Sequence, residues 1–229
     1  MQNEIIKLLP NQENYLIGFA DLGELVKNEF PFQYAIVVGA KLDDSIINKI
    51  EFALTTDYVE HYHQKNDELN ELVGKIAAFL TRHQIENYPV PATVMESELD
   101  EKYQMTLRYK FSHKMAATRA GLGWIGKTDL LISKKFGPRL RLATVLTNYR
   151  FENWGTPINK SLCGNCQVCV EKCPGLAANG KLWTTQTDRD EFFSAHKCRN
   201  ACRKRAKEFL GKEISLCGIC VAVCPRGRN

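Results

Sequence analysis

Nine cysteines, all between Cys163 and Cys224 of a 229-residue chain, are the residues whose type and spacing could do chemistry. Most fall into two patterns, Cys163-x2-Cys166-x2-Cys169-x3-Cys173-Pro174 and Cys217-x2-Cys220-x3-Cys224-Pro225. A disulfide framework needs an oxidising compartment, and Met1-Gln2-Asn3-Glu4-Ile5-Ile6-Lys7 lacks the basic-then-apolar order of a secretory signal. Structural zinc prefers two separated pairs, whereas here three evenly spaced cysteines are closed by Cys-Pro. That spacing suits [4Fe–4S] cubanes. Three thiolates wrap one face of a cluster, and the fourth, opening a helix, points away to a second cluster. The proline fixes the backbone turn and removes an amide that would have no partner.

The run is similar to that of bacterial two-cluster ferredoxins, and this resemblance implies crossed ligand sets. The first cluster would take Cys163, Cys166, Cys169 and Cys224; the second would take Cys173, Cys217, Cys220 and one cysteine further upstream. Both Cys198 and Cys202 are available for that last place. Cys198 is the favoured ligand, which leaves Cys202 as a spare thiol on a basic helix. The formal charge of +5 says little about nucleic acid, because eight thiolates around two [4Fe–4S]²⁺ cores bring the loaded chain to about +1.

Elements must position these thiols. The Cys-rich tail has few large aliphatics, and a fold that small needs a metal or covalent staple. The cysteine-free part reads as α/β. Tyr15–Ala20 and Tyr34–Gly39 are apolar runs rich in branched and aromatic residues, hence strands. Asp43-Asp44-Ser45 can cap a helix carrying Ile46, Ile47, Ile50 and Leu54. A longer helix follows, with Tyr58, Tyr62, Leu69, Leu72, Val73, Ile76, Phe79 and Leu80 at spacings of three and four. A third amphipathic piece, Ser112 to Ala120, ends at Gly121. Leu130–Ser133 and Leu142–Leu146 read as two strands, and Lys134-Lys135-Phe136-Gly137-Pro138 between them suggests a hairpin. Phe151–Leu162, with Trp154-Gly155-Thr156-Pro157, reads as a linker. The expected organisation is therefore α+β: residues 1–152 as one domain and 153–229 as a small ferredoxin-like domain with two [4Fe–4S] clusters.

Between the third helix and the next strand lies Ala120-Gly121-Leu122-Gly123-Trp124-Ile125-Gly126-Lys127. Its glycines would let the backbone approach a flat or anionic ligand. A dinucleotide fingerprint follows a strand and opens a helix, so that reading fails its context. A tight helix-to-strand turn with Trp124 in the core is the other reading of the same residues. His113-Lys114-Met115-Ala116-Ala117-Thr118-Arg119 together with this loop, followed by the two cysteine runs, resembles the epoxyqueuosine reductase family, over about residues 110 to 225. The resemblance implies a cobalamin-binding domain of nitroreductase-like α/β build ahead of a two-cluster module, with reductive dehalogenases as relatives on the same plan. The clusters would reduce cobalamin for reduction of a substrate, in the family epoxyqueuosine in tRNA. By the same resemblance Gly121, Leu122, Gly123, Trp124, Ile125, Gly126 and Lys127 line the corrin site. The family carries an aspartate about fourteen residues before the first glycine, an acid placed to protonate a leaving group. Leu107 stands there in this chain; His113 and Lys114, directly ahead of the loop, are read as proton donors or binders of corrin carboxamides, with a plain helix-surface pair as the other reading. A different class of reading is an electron-transfer protein that serves a partner enzyme without corrinoid chemistry of its own.

The remaining expectations are simpler. With 44% hydrophobic and 25% charged residues and no long apolar run, no membrane partner is expected and a cytoplasmic place is. The expected partners are a low-potential electron donor, a ferredoxin or flavodoxin, and a substrate that is a small molecule or tRNA, with the chain a monomer. His61 and His63 flank Tyr62 and are read as solvated, with an axial cobalt ligand as the rarer use. Arg199, Arg203, Lys204, Arg205 and Lys207 read as a solvated helical face that could also meet phosphates, and Arg139 and Arg141 carry the same two readings.

Overall fold

A computed structural model describes residues 1–23, 25–26, 28–94 and 98–227. In chain order the elements are α1 (Gln2–Ile6), β1 (Tyr15–Asp21), β2 (Tyr34–Lys41), α2 (Asp44–Lys49), α3 (Thr56–Arg82), β3 (Asn87–Val90), α4 (Glu101–Thr106), α5 (His113–Arg119), β4 (Gly123–Ile125), β5 (Leu131–Ser133), β6 (Leu140–Thr147), α6 (Val168–Glu171), α7 (Ala195–Leu210) and α8 (Ile219–Ala222). The chain folds into two compact units that are interleaved in sequence. One comprises Met1–Lys41, Gln64–Gly123 and Leu140–Ile158; the other comprises Leu42–His63, Trp124–Arg139 and Asn159–Asn229. The units thus share the chain more intricately than a single cut at 152/153 would divide it.

The first unit is built on a four-stranded antiparallel sheet in the order β1-β2-β6-β3. Pairing is continuous, with Phe19 opposite Ile36 and Ile36 opposite Val145. Phe19, Ile36, Val38, Ala143 and Val145 turn one face toward Leu69, Leu72, Val73, Ile76, Phe79 and Leu80 of α3. The alternation along each strand and the three-and-four spacing along the helix are the same apolar face seen with two periods. Helix α5 packs on the sheet as well, against β1, β2 and β6. It comes close because Gly18 has no side chain: a Cβ there would stand 2.9 Å from that of Ala120. Ser112 caps α5, its hydroxyl accepting from the Met115 amide.

Three details differ from the sequence expectation. The strands on either side of Lys134–Pro138 do not form a hairpin with each other: β5 pairs with β4, while β6 pairs with β2 and β3. The turn closes locally, with Ser133 bridged to Gly137 at φ +55°, and the long apolar β6 is buried as a central strand. The edge strand β3 was hidden in the sequence by Pro89, which a sheet tolerates only at its edge. Phe151–Ile158, expected as linker, is packed into the first unit. Phe151 sits in the core 4.7 Å from Phe19 ring to ring, and Trp154 stacks on Tyr34 at 5.4 Å. A Cβ on Gly155 would lie 1.7 Å from the Ala120 carbonyl oxygen.

The second unit has two small cores. In one, Ile47, Ile50, Leu54 and Tyr58 meet Ala206, Val221 and Ala222. Asp43 caps α2 as expected, but the helix ends at Lys49, so Ile50 and Leu54 reach the core from the segment after it. In the other, Ile125 of β4 packs with Ala177, Ala178, Phe192 and Phe193. Arg139 is buried here, its guanidinium donating to Asp44 at 2.6 Å, to Asn48 at 2.9 Å and to the Ala222 carbonyl at 3.1 Å. It is a clamp between α2 and α8, and the phosphate-binding reading of Arg139 gives way to this. Among the described residues, no helix is long and apolar enough to cross a membrane.

Candidate metal centre

All nine cysteines are free thiols. The first group is gathered by short-range turns. Gly164, at φ +54°, lets the chain reverse between Cys163 and Cys166, whose amide donates to the Cys163 carbonyl. One turn later α6 presents Cys169, and the residue after α8 and Val223 is Cys224. Cys163, Cys166, Cys169, Cys220 and Cys224 line one cavity of about 220 Å³. Burial, then the neighbouring Cys224, Cys163 and Cys166, push the Cys169 thiol up to about 11. Four sulfurs that repel one another's charge in this way are a set that a cationic iron core would relieve.

The second group forms around α7. Cys198 and Cys202, one turn apart, have their sulfurs 3.9 Å from each other. Hydrogen bonds from Cys202 to Cys198 and Cys217 raise the Cys202 pKa and lower that of Cys217, to about 6. Cys220 feels burial first and then Cys198 and Cys217, which raise it, while the Thr128 hydroxyl donates to its sulfur. Cys173 accepts from the Ala177 amide at 3.4 Å and packs against the same small core as Cys198. The structure therefore brings both candidate thiols of α7 to this group. Thr128 was missed in the sequence; its place directly after Lys127 is the signal that could have found it.

Two side chains of the glycine-rich loop join the first cysteine group. Trp124, buried, donates its indole N–H to the Cys163 sulfur at 3.3 Å. Lys127, only 2% exposed, donates from Nζ to the Cys166 carbonyl at 2.9 Å and lines the cavity of the thiols. A buried ammonium resting on a neutral carbonyl calls for a nearby negative charge. A cubane ligated by four thiolates carries one, so thiols, ammonium and cavity fit such a cluster. Among the described residues, no three His, Cys, Asp or Glu side chains converge tightly enough to hold a single metal ion.

The loop's glycines serve the protein's own packing. Gly121, at φ +68°, would place a Cβ 2.6 Å from the Thr156 carbonyl oxygen, and Gly126 would place one 2.8 Å from the Ile132 side chain. Leu122 covers Gly18, while Gly123 is buried at the start of β4 and Ile125 lies in the second unit's core. In the direction a Cβ would take, Gly121 and Gly126 are already filled by Thr156 and Ile132, so the absence of a side chain at these two positions is explained by the protein's own packing. His113 is partly buried, with Nδ1 2.8 Å from the Thr144 hydroxyl and Nε2 3.0 Å from the Pro91 carbonyl. Desolvation pushes its pKa down to about 4. Since a carbonyl can only accept, Nε2 carries the proton and Nδ1 accepts from Thr144. Both ring nitrogens are thereby engaged. Lys114, the next residue of α5, is half-buried.

His61 is not solvated. It is buried, and its Nε2 accepts from the Asp43 amide at 2.9 Å, an anchor for the start of α2 that leaves no role as a cobalt ligand on that nitrogen. His63 is exposed as expected. On α7, Arg205 donates to the Ile50 carbonyl and lies over the Phe209 ring, so the basic run is partly a packing element. Arg141 is spent on Asn66 and the Ala92 carbonyl.

Residues 162–227 match the family described as a 4Fe-4S double cluster binding domain. The chain is 33% identical over 129 residues to the epoxyqueuosine reductase of Listeria monocytogenes, a match covering 52% of this chain and 31% of that protein. Its fold is like that of a reductive dehalogenase whose structure is described as suggesting a mechanism for B12-dependent dehalogenation, with a TM-score of 0.65 at 18% identity, over 93% of this chain and 30% of the other. It is also like an epoxyqueuosine reductase solved with an epoxyqueuosine-modified tRNA-Tyr stem loop, with a TM-score of 0.57 at 18% identity, over 99% of this chain and 65% of that one. The protein is thus one of mixed helix and strand build that carries a double-cluster iron–sulfur domain. Its similarity to epoxyqueuosine reductases extends over about half of the chain. The chain spans about a third of the length of the curated relatives it matches.

Proposed function

We propose that the chain is an iron–sulfur reductase that draws single electrons through two [4Fe–4S] clusters and delivers them to a cobalamin for reduction of a substrate. In this reading Cys163, Cys166, Cys169 and Cys224 bind one cluster, and Cys173, Cys198, Cys217 and Cys220 bind the other. The observation that carries it is the meeting of the Cys163–Cys169 run with Cys224, from the far end of the module, around one cavity that also holds the Lys127 ammonium. When bound, the clusters supply low-potential electron transfer and a corrinoid would supply the two-electron chemistry. The chain's own residues bind and orient the first of these: thiolates ligate and Lys127 offsets charge.

The corrinoid is supported by likeness of fold to the reductive dehalogenase described as suggesting a B12-dependent mechanism, and a nitroreductase-like build of the first unit is part of the same proposal. Epoxyqueuosine in tRNA is the proposed substrate, supported by the relatives' activity. A ferredoxin or flavodoxin is the proposed donor. The internal packing of the loop favours a second reading, an electron-transfer protein serving a partner enzyme.

Anaerobic reconstitution with iron and sulfide followed by titration with cobalamin separates the two. Uptake of about eight irons per chain supports the cluster assignment. A corrin absorbance spectrum that changes on binding supports the reductase; an unchanged spectrum at high protein concentration leaves the electron-transfer reading.

A further inference from the structure

The Trp124 indole is 5% exposed, and its N–H points at the Cys163 sulfur from 3.3 Å. A buried indole N–H needs an acceptor, and here the acceptor is a sulfur that the proposed assignment makes a cluster ligand. Two further contacts hold the indole in place. Lys127, three residues on, ties the same stretch to the Cys166 carbonyl at 2.9 Å. The Arg226 guanidinium lies over the ring, 6.0 Å from its centroid, and a cation on the ring face draws electron density inward and sharpens the N–H as a donor.

Resting on that assignment, we propose that Trp124 is a tuning residue for the cluster of Cys163, Cys166, Cys169 and Cys224. Its N–H···S hydrogen bond withdraws charge from the ligating thiolate. Reduction adds an electron to the cluster, so the reduced form gains more from that bond than the oxidised one, and the potential is less negative than the thiolates alone would set. The Trp-Ile-Gly-Lys half of the loop then belongs to the electron-transfer centre.

The test begins with intact reconstituted protein carrying indole-15N tryptophan. Electron spin echo modulation of the reduced protein is expected to show a coupled 15N that Trp124→Phe removes. In an EPR-monitored potentiometric titration, Trp124→Phe is expected to shift one of the two midpoints to more negative potential and leave the other in place. The iron count should be unchanged, because Phe keeps the ring and loses only the N–H. A full iron complement without 15N coupling, a coupling that survives in Trp124→Phe, or unchanged midpoints in that variant overturns the inference alone. Wild-type protein that takes up no more than about four irons overturns the cluster assignment and the inference with it. If Trp124→Phe fails to assemble, labelled Trp154→Phe and Trp183→Phe assign the signal instead: each is expected to keep the coupling, and its loss in either overturns the inference.

Discussion

Cys198 and Cys202 present their sulfurs 3.9 Å apart on one face of α7, and both reach the Cys217 side of the second cysteine group. The four-residue spacing puts two thiols one above the other, so two residues compete for one ligand place. Cys198→Ala is expected to lose about four irons per chain and Cys202→Ala none. The measurement is iron and sulfide analysis after identical reconstitution. Equal loss in both variants would mean that Cys202 is as much a ligand as Cys198.

His113 makes stability depend on pH with a definite sign. Its folded pKa, about 4, lies below its ordinary value of 6.5, so at intermediate pH the unfolded chain binds the proton and the folded one does not. Stability from this group is complete above pH 6.5 and falls as the pH drops toward 4. Thermal unfolding of the intact protein between pH 5 and 7 should show Tm falling on acidification, with a shallower slope in His113→Gln. Parallel slopes in the two proteins would remove His113 from the account.

Gly155 and Gly74 should respond oppositely to the same substitution. A Cβ on Gly155 meets the Ala120 carbonyl oxygen at 1.7 Å, whereas one on Gly74, in α3, meets nothing within 4 Å. Gly155→Ala is expected to destabilise by more than about 2 kcal/mol because backbone must move. Gly74→Ala should stabilise by about 0.5–1 kcal/mol through helix propensity alone. Denaturant titration of each variant against the parent reads both.

Arg139→Met should cost about 1–3 kcal/mol, since it removes the partner of the partly exposed Asp44 and leaves the Asn48 and Ala222 acceptors without their donor. Arg139→Lys is expected to recover little, because one ammonium cannot span three acceptors held by a planar fork. Cluster retention during gel filtration and the unfolding midpoint are the two readouts. Full retention in Arg139→Met would show that α2 and α8 stay together without it.

Sequence and structure agree where a feature depends on local pattern. The strands at Tyr15 and Tyr34, the helix that carries Leu69 to Leu80 and the cap at Asp43 all follow from spacing and side-chain chemistry. Features set by distant partners were not legible. The hairpin expected around Gly137 failed because the partner of β6 is β2, a hundred residues earlier in the chain. Phe151 looks like linker until Phe19 is seen beside it. The glycine loop invited a ligand because sequence shows the missing side chains of Gly121 and Gly126 but not the Thr156 and Ile132 atoms that fill the space. At the metal centre the cysteines were legible from their spacing, while the roles of Trp124, Lys127 and Thr128 were not. Nothing local announces that a tryptophan will face a thiol thirty-nine residues away.

The gathering of Cys224 with Cys163, Cys166 and Cys169 also has a temporal side. Synthesis runs from the N-terminus, so three thiols of that set leave the ribosome well before the fourth. In the proposed assignment, iron arriving early would find an open three-thiol mouth, and only the emergence of Cys224 could shut it. Assembly of this centre would then wait on the emergence of Cys224, timed by the chain itself.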